Sequence, residues 1–122
     1  MNSGNKSINL DDITFPINPP KALKFFMNYL TDYEKGEILD YKYVYFIGLQ
    51  AKKIKGSPLH PDNFGYDDDR GDYKVVMKDH IAYRFEVMEF LGKGSFGQAL
   101  KCFDHKTKEI VAVKLIRNKK RF

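Results

Sequence analysis

At 122 residues the chain has the length of one small domain, and its 43% hydrophobic and 30% charged residues suit a packed core rather than a disordered tail. No apolar run approaches the roughly 20 residues of a membrane span, no apolar stretch follows Met1–Lys6 to make a secretory signal, and the single cysteine, Cys102, excludes an internal disulfide and fits a reducing compartment. The net charge of +5 is uneven, with eight basic and two acidic residues from Gln98 onward against 13 and 14 before it, so most of the chain offers no basic face to nucleic acid.

Residues 1–18 are polar and aperiodic and read as a flexible tail. Pro19-Pro20 then suits the first turn of a helix. Ala22, Leu23, Phe26, Met27 and Leu30 follow at helical spacing and define one apolar face. Thr31-Asp32-Tyr33-Glu34 has the form of a capping box, predicting a second short helix that Gly36 weakens. The aromatic and β-branched run Tyr43–Ile47 is expected to be extended and to pack into a core.

Lys52 to Gly71 is loop-like, punctuated by Gly56, Pro58, Pro61, Gly65 and Gly71. A calcium loop beginning at Asp67-Asp68-Asp69 needs a glutamate at its twelfth position; Lys78 stands there, so a polar turn is expected. His60, His80 and His105 are scattered without ligand spacing, and no metal site is assigned. Tyr73–Val76 reads as a short strand, and Tyr83, Phe85 and Val87 alternate with Arg84 and Glu86 as in a half-buried strand.

That strand leads into the most informative block, Leu91-Gly92-Lys93-Gly94-Ser95-Phe96-Gly97-Gln98-Ala99. Three glycines allow a tight backbone whose N–H groups cradle phosphate oxygens. Asp104–Lys108 is a turn signal, and Ile110–Ile116 is rich in branched residues and suits a buried strand. Within it, Val111-Ala112-Val113-Lys114 places a cation seventeen residues after Gly97. Strand, glycine loop, strand, turn and strand with a lysine is the arrangement of protein kinases. The dinucleotide-binding alternative needs a helix from Gln98 and an acidic residue closing the next strand; Arg117 stands near there instead. A plain glycine hairpin without a ligand is the remaining option. The closing run Arg117–Arg121 reads as a solvated strand end in preference to a nuclear address or a nucleic-acid patch.

Three ordered blocks carry a closer resemblance: Tyr66–Tyr73, Asp79–Val87 and Gly92–Gln98. Together they resemble the dual-specificity tyrosine-regulated kinase (DYRK) family. Asp79-His80 is similar to the DH box that precedes the catalytic domain there. Leu30-Thr31, Glu37-Ile38, Tyr45–Leu49 and Ala51–Lys53 resemble the N-terminal accessory region of class 2 members. Ile116–Phe122 is similar to their Val-Arg-Asn-Glu-Lys-Arg-Phe. The resemblance covers about residues 20 to 122 and implies an α+β chain. A helical accessory segment (19–64), an acidic loop with the DH-box-like stretch (65–82) and the first antiparallel strands of a kinase small lobe (83–122) follow the tail.

The resemblance also implies function. A dual-specificity kinase transfers the ATP γ-phosphate to protein substrates and autophosphorylates a tyrosine of its activation loop. The single cysteine and the lack of a signal or an apolar span lead to the expectation of a cytoplasmic enzyme, with the nucleus as the second compartment and no membrane partner. Leu91 and Ala112 would line the adenine site. The loop from Gly92 through Lys93, Gly94, Ser95 and Phe96 to Gly97 would cover the phosphates, with Phe96 shielding them from water. Lys114 would act catalytically on the α- and β-phosphates. Ala99 departs from the valine that kinases place on the adenine ring, a loss of about 1–1.5 kcal/mol at roughly 0.8 per buried carbon. A whole kinase domain is roughly twice this length, and neither His-Arg-Asp nor Asp-Phe-Gly occurs in the sequence. The Mg2+ ligands are therefore expected outside this chain, which reads as the front of an enzyme, inactive alone. A truncated, non-catalytic interaction module is the alternative.

Overall fold

The computed structural model describes residues 10–55, 65–68 and 72–117. The first nine residues of the expected tail, His60, the greater part of the 52–71 loop, Asp69 and the run from 118 onward lie outside them.

The N-terminal half is built on two short helices. Helix α1 spans Pro19–Phe26 and α2 spans Asp32–Glu37. Asn18 caps α1, its Oδ1 accepting from the Lys21 N–H at 2.8 Å, and the two prolines occupy the first turn, where no amide partner is needed. Phe26 closes the helix into a 3-10 turn, Met27–Tyr29. Ala22, Phe26 and Leu30 are buried, but Met27 is 50% exposed, which corrects its place on the apolar face. It follows Phe26 by one residue, about 100° round the axis, and falls off the buried stripe.

Helix α2 begins with the expected capping box. The Glu34 N–H donates to Thr31 Oγ1 at 3.1 Å and the Thr31 N–H to Glu34 Oε1 at 2.9 Å. Gly36 is accommodated because the helix ends at Glu37 and a 3-10 turn, Ile38–Asp40, continues it. The Tyr43–Ile47 run packs inward through Val44 and Ile47, and Val44 forms a bridge with Ile17. Ile17, Ala22, Phe26, Leu30, Ile38, Val44 and Ile47 form one core, completed by Tyr83.

The C-terminal half is an antiparallel sheet in the order β1 (His80–Ile81), β2 (Phe85–Gly94), β3 (Gly97–Asp104) and β4 (Glu109–Ile116). Val87, Leu100 and Cys102 are buried on one face, with Val75, Ile81, Phe85, Val111, Val113 and Leu115 packed against them. The predicted Tyr73–Val76 strand is reduced to a bridge from Tyr73 to Asp67.

The fold departs from the sequence expectation at Tyr83 and at β4. Tyr83 is not on a strand: Ala82 and Tyr83 take left-handed φ values of 56° and 55° in the turn between β1 and β2. Tyr83 leaves the Phe85–Val87 alternation and drops, fully buried, into the helical core. Its hydroxyl donates to Glu37 Oε1 at 2.8 Å and its carbonyl accepts from Tyr45 and Phe46. Burying a tyrosine with its hydroxyl satisfied works against the roughly 1–2 kcal/mol that each left-handed residue costs. Strand β4 is also not buried. Val111, Val113 and Leu115 are half-buried, while Ile110 and Ile116 are 53% and 69% exposed, because β4 is the outer strand of the sheet among the described residues.

Candidate functional site

The glycine-rich segment is a hairpin. Strands β2 and β3 pair up to Gly94 opposite Gly97, leaving Ser95 and Phe96 as a two-residue turn. Gly97 has φ +133°, and a Cβ there would lie 2.0 Å from the Leu115 carbonyl oxygen, so only glycine permits β4 to run this close. Gly94 has a different reason: a Cβ would meet the Phe96 ring at 2.7 Å, so the ring lies folded back against the hairpin. At Gly92 the space is open.

Directly paired residues of antiparallel strands share a face. Gly92 pairs with Ala99 and Ala99 with Lys114, while Lys101 pairs with Ala112. Ala99, Ala112 and Lys114 therefore stand on one face, opposite the Leu100–Cys102 core. Lys114 Nζ lies 4.3 Å from the Phe96 ring centroid, a cation–π contact that holds the hairpin tip and the ammonium together. Leu91 is 51% exposed at an irregularity of the β2–β3 register between Phe90 and Gly92. Lys93 is paired with Gln98, which puts its side chain on the other face. Of the predicted site residues, the structure thus groups Gly92, Phe96, Ala99, Ala112 and Lys114. Ser95 sits exposed at the tip, and Lys93 contributes its backbone to the hairpin while its side chain turns away.

Sequence reasoning missed what Lys93 turns toward. Its Nζ reaches Asp72 Oδ2 at 3.0 Å. Arg117 donates to the same carboxylate from Nε at 3.0 Å and Nη2 at 3.2 Å. The guanidinium first, then the ammonium, holds the Asp72 carboxyl below its usual range. No local signal marks this triad, whose members are 21 to 45 residues apart in sequence.

A second cluster joins the halves. Glu34, on α2, accepts from Lys53 Nζ at 3.0 Å and faces His80 Nε2 at 2.6 Å. Lys53 also donates to Asp79 Oδ1 and the Ile47 carbonyl, both at 2.7 Å. His80 Nδ1 accepts the Tyr83 N–H at 3.0 Å, which assigns the ring proton to Nε2, aimed at Glu34. Burial raises the Glu34 carboxyl, but hydrogen bonds from His80 and the Thr31 amide and the charge of Lys53 outweigh it and bring it to about 2. The donor atoms of Glu34, Asp79 and His80 lie within 4.8 Å of one another, as in a metal site. The Lys53 ammonium already stands on both carboxylates and is the cation this cluster holds. At the far end of the hairpin, Arg84 grips Asp104 through two bonds of 2.8 and 2.7 Å, and Asp104 in turn accepts from Lys106 and Thr107 to shape the β3–β4 turn.

No family model matches the chain. It is 55% identical over 102 residues to human dual specificity tyrosine-phosphorylation-regulated kinase 4, covering 84% of this chain and 20% of that kinase. It is 58% identical over 95 residues to the DYRK-family kinase pom1 of Schizosaccharomyces pombe, covering 76% of this chain and 9% of the relative. The probable serine/threonine-protein kinase dyrk2 of Dictyostelium discoideum is 55% identical over 106 residues, 87% of this chain and 12% of its own. The chain is therefore homologous over most of its length to DYRK-family kinases, and it spans a fifth or less of these three relatives.

Proposed function

We propose that these residues form the nucleotide-binding hairpin of a class 2-like DYRK kinase that transfers the ATP γ-phosphate to serine, threonine and its own tyrosine. The observation that carries this reading is the single face shared by Ala99, Ala112 and Lys114, beneath a glycine hairpin whose tip residue touches the lysine. The site fits a nucleotide. Open space at Gly92 admits a ligand against the backbone, and Ala99 and Ala112 are small enough to let a flat ring approach the sheet. Lys114 supplies the cation for phosphate oxygens, and amides of the hairpin supply neutral donors.

In the structure the Lys114 ammonium rests on the Phe96 ring. Binding phosphate replaces that weak contact with a charge-assisted hydrogen bond and frees Phe96 to cover the ligand from water. Leu91 and Ala112 contribute apolar surface beside the base. Mg2+ neutralises phosphate charge when bound; its ligands in kinases are the Asp of Asp-Phe-Gly and an Asn of the catalytic loop, neither of which this sequence supplies.

Lys114→Met in the full-length protein tests the assignment. Methionine keeps the apolar stem and removes the charge, so phosphotransfer should fall about 10²-fold or more. A folded variant with more than about a tenth of parental activity would remove Lys114 from the chemistry.

A further inference from the structure

We infer that Asp72, upstream of the sheet, is a positioning residue that sets the height of the glycine-rich hairpin over the nucleotide face. Asp72 is only 2% exposed, yet it carries two cations from separate elements. Lys93 lies in β2 one residue before Gly94, and Arg117 follows β4 directly. The Arg117 backbone N–H donates to the Phe96 carbonyl at 3.0 Å, and its Nη2 lies 3.5 Å from the Gly94 carbonyl oxygen. One carboxylate thus ties both sides of the hairpin tip, from the face opposite Lys114.

The carboxylate is itself held in place. The Asp72 N–H donates to Asp68 Oδ1 at 3.0 Å, and its carbonyl accepts from the Asp68 N–H at 2.7 Å. One residue on, the Tyr73 carbonyl accepts from Gln98 Nε2 at 2.7 Å, and Gln98 neighbours Gly97 in β3. A tether fixed at its base and attached at Lys93, Gln98 and Arg117 resists lifting of the tip. A two-residue turn flanked by glycines has little stiffness of its own. The position of Phe96 and of the hairpin amides therefore depends on Asp72, although Asp72 is not on the nucleotide face.

This inference rests on the nucleotide-binding reading, and its test separates the two. In the full-length protein, Asp72→Ala should accelerate amide exchange at Gly94–Gly97 by about tenfold, the scale of a lost charge-assisted contact, while Leu100–Cys102 keep their protection. The KM for ATP should rise several-fold with kcat changed by less than about twofold. Lys93→Met, a milder change at a partly exposed side chain, should shift both readouts in the same direction and serves if Asp72→Ala does not fold. Asp72→Ala on the Lys93→Met background should add less than it does alone. Unchanged exchange at the hairpin in the folded variants overturns the inference, as does faster exchange with an unaltered KM. Retained activity in Lys114→Met would instead strike the nucleotide-binding reading and leave the exchange result standing.

Discussion

Ala99 stands on one face between Gly92 and Lys114, and a Cβ at its partner Gly92 would meet nothing within 4 Å. Valine there adds two carbons, so Ala99→Val should tighten ATP binding in the full-length protein by up to about tenfold. Calorimetric titration checks this; unchanged or weaker binding would mean that the base lies elsewhere on the face. The strand, glycine loop and strand around Gly92–Gly97 were legible, whereas only the resemblance to kinases puts Ala99 at the base, and its pairing with Lys114 comes from the fold. The identity of the residues behind that face was not legible. Lys93 reads as one more residue of a phosphate loop, and only the fold reveals that Asp72 claims its charge.

Elements were readable where their signals are local. The proline pair marks the start of α1, the Thr31–Glu34 box starts α2, and the run Asp104–Lys108 turns the chain from β3 into β4. Where tertiary contacts override a local pattern, the reading failed. Nothing in Ala82-Tyr83 announces two left-handed residues, since glycine or asparagine ordinarily marks them. Branched residues in β4 look the same in an inner and an outer strand, and the pairing order alone distinguishes them. That outer strand has a consequence for the chain of 122 residues. Its edge, unpaired among the described residues, and its exposed Ile110 and Ile116 form a template for another strand. Size-exclusion chromatography should show concentration-dependent association, reduced by Ile110→Lys. A monomer at all concentrations would show that this edge is protected.

At the scale of the whole molecule, the helical half keeps a core of its own, separate from the Val87, Leu100 and Cys102 cluster of the sheet. The halves meet instead through Glu34, Lys53, Asp79 and His80. This junction should be acid-labile. The Glu34 carboxyl is depressed in the folded state from 4.5 to about 2, so its contribution is complete above about pH 4.5 and is lost as the pH falls toward 2. The shift corresponds to about 3 kcal/mol at 1.36 per unit. Urea unfolding of the parent and of Glu34→Gln between pH 7 and 2 should show a stability gap that closes across that window. A gap that is constant with pH would assign the anchoring to packing rather than to charge.

Tyr83 has a different consequence. Its backbone belongs to the turn that starts β2, while its ring completes the helical core and stacks on His80 at 3.9 Å. Neither half can open without withdrawing a fully buried side chain from the other or breaking the turn that carries it. A helical core completed by a side chain from the turn that starts β2 is coupled to the sheet in its opening. A disturbance among the helices, such as a partner bound there or a modified surface tyrosine, therefore has a covalent route of two residues to the first strand of the glycine-rich hairpin.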